Sequence, residues 1–77
     1  MQKKFKVVLF NPDTLHKSVA WFTFQWDYNN HHWNVHLRTL FGESDNIYAG
    51  KPEDCVRRYA DARNVREKEY ITIKSIA

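Results

Sequence analysis

The histidines are the first residues in this sequence that could do chemistry, because His31, His32 and His36 lie close together in the chain. A histidine cluster is a common metal site, but this segment alternates like a β-strand. His32 and His36 are then about 13 Å apart at ~3.3 Å per residue, and His31 points to the opposite face. Only Asp27 is placed to join His32 across a hairpin, and two ligands do not make a structural site. We therefore predict no metal site.

Cys55 is the one side chain with clear nucleophilic potential. It stands in the first turn of a predicted helix, where the helix dipole favours a thiolate. It also falls on the apolar stripe of that helix, which favours the role of a small buried hydrophobe. The sequence has no G-x-S-x-G elbow and no glycine-rich phosphate loop, and only two glycines in all. We therefore predict no catalytic residue, no cofactor and no enzymatic activity.

A polar and aromatic surface on the central hairpin is the strongest functional candidate. Strand pairing puts Trp21 opposite Arg38, and tryptophan and arginine are the residues most enriched at binding hot spots. The whole predicted partner-binding surface consists of Trp21, Thr23, Gln25, Asn34, His36 and Arg38, extended by Lys4 and Lys6 of the first strand. The alternative is that Trp21 simply packs beneath Arg38 or against the loop after Phe10, since isolated exposed aromatics need no function.

The hairpin that positions this surface is predicted from alternation. Residues 18–28 and 31–41 flank Asn29-Asn30, a dipeptide that tolerates the positive φ of tight hairpin turns. With a two-residue turn, the other face pairs Trp26 with Trp33, Phe24 with Val35, and Phe22 with Leu37. A slip of one residue would exchange the two faces. We expect Trp26, Trp33, Phe24 and Phe22 to be buried beneath a helix, with Tyr59 and Val56 among their contacts.

The rest of the chain is predicted to complete a small sheet. A first strand covers residues 3–10, turn formers follow at 11–13, a second loop covers 42–46, and residues 47–49 form a short strand or an extended approach to a helix. The helix runs from Pro52 to about Arg63 and ends at Asn64 in a left-handed conformation, and a closing strand covers 70–76. The predicted fold class is α+β, with a mostly antiparallel sheet of four or five strands (β-β-β-(β)-α-β) and one helix packed on one face.

Length and composition bound the kind of protein this is. The 77 residues, 43% hydrophobic and 16% aromatic, predict a single globular domain spanning residues 1–77. The single cysteine rules out an internal disulfide, nothing resembles a signal peptide, and no apolar run approaches the ~20 residues of a membrane span. We expect a cytoplasmic protein with no membrane association. The net charge of +3 is a mild excess that suits phosphate or an acidic protein surface.

Residues 47–76 carry a resemblance to known small proteins. Ile47-Tyr48-Ala49-Gly50-Lys51-Pro52-Glu53-Asp54-Cys55-Val56-Arg57-Arg58-Tyr59, followed by Tyr70-Ile71-Thr72-Ile73, resembles a layout of small single-helix sheet modules. There a strand ends in alanine, an acidic helix start follows, and a β-branched strand closes the sheet. The layout is similar to LX-type ribosomal proteins and to the small phage inhibitor of bacterial RNA polymerase. Cys55 stands where that pattern prefers alanine, so no functional residue is carried over. The resemblance implies compact modules that dock to a larger nucleoprotein or polymerase.

Three functions follow as hypotheses. The first is a non-enzymatic binding module, of the kind that small phage or mobile-element accessory proteins use to inhibit a host nucleic-acid-handling machine such as RNA polymerase or a CRISPR effector. The second is a nucleic-acid-binding domain in which Trp21 stacks on a base and basic residues, Lys74 among them, hold phosphates. The third is a small structural subunit of a larger assembly. The identity of the partner and the oligomeric state stay open.

Overall fold

The computed structural model describes residues 1–67 and 70–76 of the chain. Its elements in chain order are β1 (Gln2–Asn11), β2 (His16–Asp27), β3 (His32–Thr39), β4 (Gly42–Tyr48), α1 (Pro52–Glu67) and β5 (Tyr70–Ser75). The strands form one five-stranded sheet in the order β4-β3-β2-β1-β5, and every neighbouring pair is antiparallel. The predicted α+β class, with one helix on an antiparallel sheet, is confirmed.

The register of the central hairpin is the one predicted from alternation. Trp26 lies opposite Trp33, and Trp21 lies opposite Arg38. Because successive side chains in a strand point to opposite faces, these pairs lie on different faces of the sheet. We call the face against which α1 packs the covered face, and the other the open face.

The covered face holds the hydrophobic core. Its buried residues are Phe5, Val7, Leu9, Ala20, Phe22, Phe24, Trp33 and Val35 of the sheet, joined by Val56 and Ala60 of the helix. Cys55 and Tyr59 pack against this core, as expected for the apolar stripe of the helix, and the Tyr59 and Phe22 rings are 5.2 Å apart. Trp26 was expected to be buried and is only partly buried. The helix packs chiefly against β1 and β5, so it covers the core unevenly.

The turn between β2 and β3 differs from the prediction. It has four residues, 28–31, and the residue with positive φ is His31 at 54°, in place of Asn29 or Asn30. Asp27 closes the loop. Its Oδ1 accepts hydrogen bonds from the N–H groups of Asn29 (3.0 Å) and Asn30 (3.2 Å), and its C=O accepts one from the N–H of His31 (2.9 Å). The longer loop leaves Tyr28 and His31 unpaired, whereas a two-residue turn would have paired them. The register of all other pairs is the predicted one.

The turn between β1 and β2 is built in the same way. Asn11 Oδ1 accepts hydrogen bonds from the N–H groups of Asp13 (3.0 Å) and Thr14 (3.3 Å), and Leu15 then takes a φ of 58°. Side-chain capping of this kind by Asn and Asp is a local interaction that replaces backbone hydrogen bonds in turns. Leucine is an unusual residue for the left-handed region, which costs a side chain with a Cβ about 1 kcal/mol or more.

Residues 42–46 were predicted as a loop, and this prediction is wrong. They belong to β4, which pairs with β3 from Gly42 to Tyr48 after a turn of only two residues, Leu40 and Phe41. Gly42 takes a φ of 144°, a conformation that only glycine adopts at little cost. Serine, aspartate and asparagine are poor strand formers, but β-propensity is weak and pairing to a neighbouring strand overrides it.

The end of the helix is also later than predicted. Asn64 was expected to terminate α1, but the helix continues through it to Glu67. Asparagine is a weaker stop signal than glycine, and the residues that follow tolerate helical conformation. The closing strand begins at Tyr70 as predicted and ends at Ser75.

Candidate functional site

The strand register brings the whole predicted partner-binding surface to the open face. One row across the sheet runs through Lys6, Trp21 and Arg38. The next row runs through Lys4, Thr23 and His36, and Gln25 lies opposite Asn34 in the row after that. The core and α1 occupy the other face, so no described element covers these side chains.

Trp21 and Arg38 form a stacked pair at the centre of the open face. The guanidinium carbon of Arg38 lies 4.7 Å from the centre of the Trp21 ring, which is a cation–π arrangement. Trp21 is partly buried and Arg38 is exposed. The packing of Trp21 beneath Arg38, considered above as an alternative to function, is therefore present. The contact favours this position of the guanidinium by roughly 0.5–1 kcal/mol, the range for an exposed pair.

His36 is held between two carboxylates of β4. Its Nδ1 lies 2.8 Å from Asp45 Oδ1 and its Nε2 lies 3.0 Å from Glu43 Oε1. Hydrogen bonding to Asp45, and secondly to Glu43, raises the pKa of His36 above its ordinary value. Both ring nitrogens are engaged within the protein. In this arrangement, His36 ties β3 to β4 and does not offer a free donor to a partner.

Glu43 and Asp45 are functional candidates that the sequence interpretation placed in a loop. In the structure they lie opposite Arg38 and His36 on the open face, and their side chains are 59% and 85% exposed. The sequence carries no clear signal for this strand. Residues 42–46 are glycine or polar, without the apolar/polar alternation of a strand, and Gly42, Ser44 and Asn46 are typical turn residues.

The opposite side of the open face is basic. Lys6 lies between Trp21 of β2 and Lys74 of β5, and Lys4 lies one row away from Lys6 on the same strand. The open face is therefore divided into an acidic side on β4, an aromatic centre on β2 and β3, and a basic side on β1 and β5.

Cys55 and His32, the residues considered for other chemistry, have the following surroundings. Partial burial raises the pKa of the Cys55 thiol, which opposes formation of the nucleophilic thiolate, although Arg58 acts weakly in the other direction. His32 Nε2 lies 3.7 Å from Asp27 Oδ2 and 3.2 Å from Asn34 Oδ1. Among the side chains that the structure describes, no group of three or more His, Cys, Asp or Glu is placed to hold a metal ion.

No described helix combines the length and apolar character needed to cross a bilayer. Comparison with known proteins gave no match to a family model, to a curated protein or to a solved structure. The resemblance of residues 47–76 to small docking modules therefore stays a prediction.

Proposed function

We propose that this chain is a non-enzymatic binding module that docks on a protein partner through the open face of its sheet. The Trp21–Arg38 pair is the centre of the contact. The partner class that fits the size of the chain and the resemblance of residues 47–76 is a host nucleic-acid-handling machine, such as RNA polymerase or a CRISPR effector, which the module inhibits as small phage or mobile-element accessory proteins do.

The observation that carries this proposal is the stacked pair on a face that no described element covers. A partly buried tryptophan with an arginine at 4.7 Å is a rigid, amphipathic anchor. Anchors of this kind contribute most when a partner excludes water from around them. The sheet holds the anchor in place from both neighbouring strands, so little side-chain freedom is lost on binding.

The division of charge favours a protein over a nucleic acid. Affinity for a phosphate backbone grows with the number of lysine and arginine contacts, because each neutralised phosphate releases a counterion. On this face, Glu43 and Asp45 lie beside the anchor and would repel phosphates. A protein surface with both charge signs accommodates the basic and acidic sides together.

The second candidate function, nucleic-acid binding, has its own supporting observation. Lys6 and Lys74 lie opposite each other on neighbouring strands, next to Trp21. A single strand could place a base on Trp21 and its phosphates along these lysines. This mode uses the basic side of the open face and avoids β4.

The test is a comparison of two double variants in parallel affinity purifications from bacterial lysate. Trp21→Ala with Arg38→Ala removes the anchor, while Arg57→Ala with Arg58→Ala removes two exposed arginines from the helix. A protein retained by the wild type and by the helix variant, but lost by the anchor variant, is the expected partner. Its purified form should then bind the anchor variant at least ~tenfold more weakly, which corresponds to ~1.4 kcal/mol.

Circular dichroism provides the folding control, and the anchor variant should keep the wild-type spectrum. Gel-shift titrations against single- and double-stranded DNA and RNA at two salt concentrations separate the two candidate functions, since phosphate binding weakens steeply with salt. Equal affinity of both double variants for the partner would rule out the open face as the docking surface.

A further inference from the structure

Strand β4 is a free edge of the sheet. Its outer side pairs with no described strand, and all of its residues are exposed except Tyr48, which is partly buried. It pairs with β3 residue by residue without a bulge, and it contains no lysine or proline. Charged side chains, lysine above all, proline and bulges are common devices by which edge strands avoid pairing with other chains. Of these, β4 has only the carboxylates of Glu43 and Asp45, and its regular edge presents a row of unpaired backbone groups.

Two hydrogen bonds between other strands show which backbone groups of β4 point outward. Trp26 donates its N–H to the C=O of Met1 at 3.1 Å, so the covered-face residues of β2 direct their backbone groups to β1. Ile76 donates its N–H to the C=O of Lys4 at 3.0 Å, so the open-face residues of β1 direct theirs to β5. In both strands, therefore, open-face residues direct their backbone N–H and C=O groups to one neighbouring strand and covered-face residues direct theirs to the other.

Continuing this alternation towards β4 gives its outward residues. Open-face residues of β2 bond to β3, and covered-face residues of β3 therefore bond to β4. Their partners on β4 include Ser44 and Asn46. The N–H and C=O groups of Glu43, Asp45 and Ile47 consequently point away from the sheet, and the side chains of the same residues lie on the open face. An added strand would place one side chain directly opposite each of them.

Charge decides what kind of strand can be added. A second copy of this chain, paired antiparallel in the register that uses all three outward residues, puts Asp45 opposite Asp45 of that copy, and like charges opposite each other destabilise a pair. His36 uses only Oδ1 of Asp45 and Oε1 of Glu43, and both carboxylates are largely exposed. A lysine or arginine opposite each carboxylate is favoured instead.

We propose that β4 binds an extended basic segment of a partner protein as a sixth strand, antiparallel to β4. Read from its N-terminus, the segment has an apolar residue opposite Ile47, which is 67% exposed, and then a basic residue opposite Asp45 and another opposite Glu43. These alternate with residues of any type. The backbone ladder supplies affinity and the alternate side chains supply specificity. The strand-binding edge adjoins the Trp21–Arg38 anchor, because Glu43 lies opposite Arg38. It uses different groups, the outward backbone of β4 and its carboxylates, so its occupancy does not depend on the function proposed above.

The probe is a seven-residue capped peptide, threonine-valine-threonine-lysine-threonine-lysine-threonine, titrated into the ¹⁵N-labelled protein. The amide signals of Glu43, Asp45 and Ile47 should shift most, and their hydrogen exchange should slow. Methylating the backbone nitrogen of the first lysine, which faces β4, should weaken binding at least ~tenfold by removing one ladder bond and adding a clash. Methylating the nitrogen of the threonine between the two lysines, which faces away, should change the affinity less than ~threefold.

Two protein variants test the role of charge. Glu43→Gln with Asp45→Asn should weaken binding of the lysine peptide about fivefold, since exposed pairs contribute modestly. Asp54→Asn with Asp61→Asn removes the same charge from the helix and should leave the affinity unchanged. A peptide with glutamate in place of both lysines should bind more weakly than either methylated form.

Several results would overturn the proposal. Equal binding of the two methylated peptides would exclude a backbone ladder, and equal binding of the lysine and glutamate peptides would exclude charge selection. Shifts centred on β5 or on the Trp21–Arg38 pair would place the segment elsewhere. A dimer in light scattering whose β4 amides are already protected from exchange would make a second copy the occupant. The anchor variant Trp21→Ala with Arg38→Ala should still bind the lysine peptide, because β4 is unchanged in it. Loss of partner binding at the anchor is therefore distinguishable from loss of peptide binding at β4.

Discussion

The two faces of the sheet use the same strands for different purposes. On the covered face, Phe24 is fully buried and meets Phe5, Phe22 and Trp33, with ring centres between 5.7 and 6.3 Å apart. On the open face, side chains meet in small groups at the surface, as in Arg38 over Trp21 and His36 between Glu43 and Asp45. Stability therefore depends mainly on one face, and residues of the other can change without unfolding the chain. This freedom supports the proposed use of the open face in recognition.

Replacing Trp33 by alanine should have the largest effect, because it removes a buried ring from the covered face. Trp33 is 7% exposed and its ring lies 5.2 Å from that of Trp26. We expect the free energy of unfolding in urea to fall by ~3–5 kcal/mol, a large part of the total for so short a chain. Trp21→Ala is the matched control on the open face and should cost less than ~2 kcal/mol. Equal losses would mean that the two faces do not differ as described.

Cys55→Ser tests two things: how much a residue at the edge of the covered face contributes to stability, and whether the thiol takes part in function. Cys55 packs against the core and is partly buried, so a hydroxyl there should lower the free energy of unfolding by roughly 1 kcal/mol. Binding of the partner should not change, because Cys55 packs against the core on the covered face and the proposed contact uses the open face. Loss of activity by a folded Cys55→Ser protein, in whatever assay reports its function, would contradict the proposed non-enzymatic function.

Leu15→Gly tests the turn that connects β1 to β2. Leu15 takes a φ of 58° and is 75% exposed, so glycine would relieve backbone strain and lose little burial. We expect a gain of ~0.5–1 kcal/mol, after allowance for the greater freedom of glycine in the unfolded chain. The thermal midpoint should rise by a few degrees. Leu40→Gly, at a turn residue that is 73% exposed and has no positive φ, should give no gain.

His36 should give the smallest effect, a pH dependence on the open face. Its pKa in the folded protein is raised by Asp45 and Glu43, so its stabilisation is fully present below the unfolded pKa of ~6.5 and is lost as the pH rises through the folded pKa. The urea midpoint of His36→Gln should fall further below that of the wild type at pH 5.5 than at pH 8.5. His16→Gln, at an exposed position, is the control. If the urea midpoints of His36→Gln and the wild type differ by the same amount at both pH values, the two carboxylates do not stabilise the imidazolium.

Local patterns in the sequence determined the hairpin, its register and the division of residues between the faces. Strand parity alone placed Trp21 and Arg38 together on one face and Trp33 with Trp26 on the other. The apolar stripe of the helix, Val56 among it, was determined in the same way. These features repeat every two residues or every helical turn, so they are visible without knowledge of the fold.

Only the tertiary structure decided the rest. Residues 42–46 resemble a loop in isolation, and pairing with β3 makes them a strand that holds His36 between Glu43 and Asp45. The order of strands, which leaves β4 as a free edge and puts β5 at the other edge beneath the helix, depends on contacts between residues far apart in the chain. Such contacts are set by the packing of whole elements, and no local pattern of propensity or alternation encodes them.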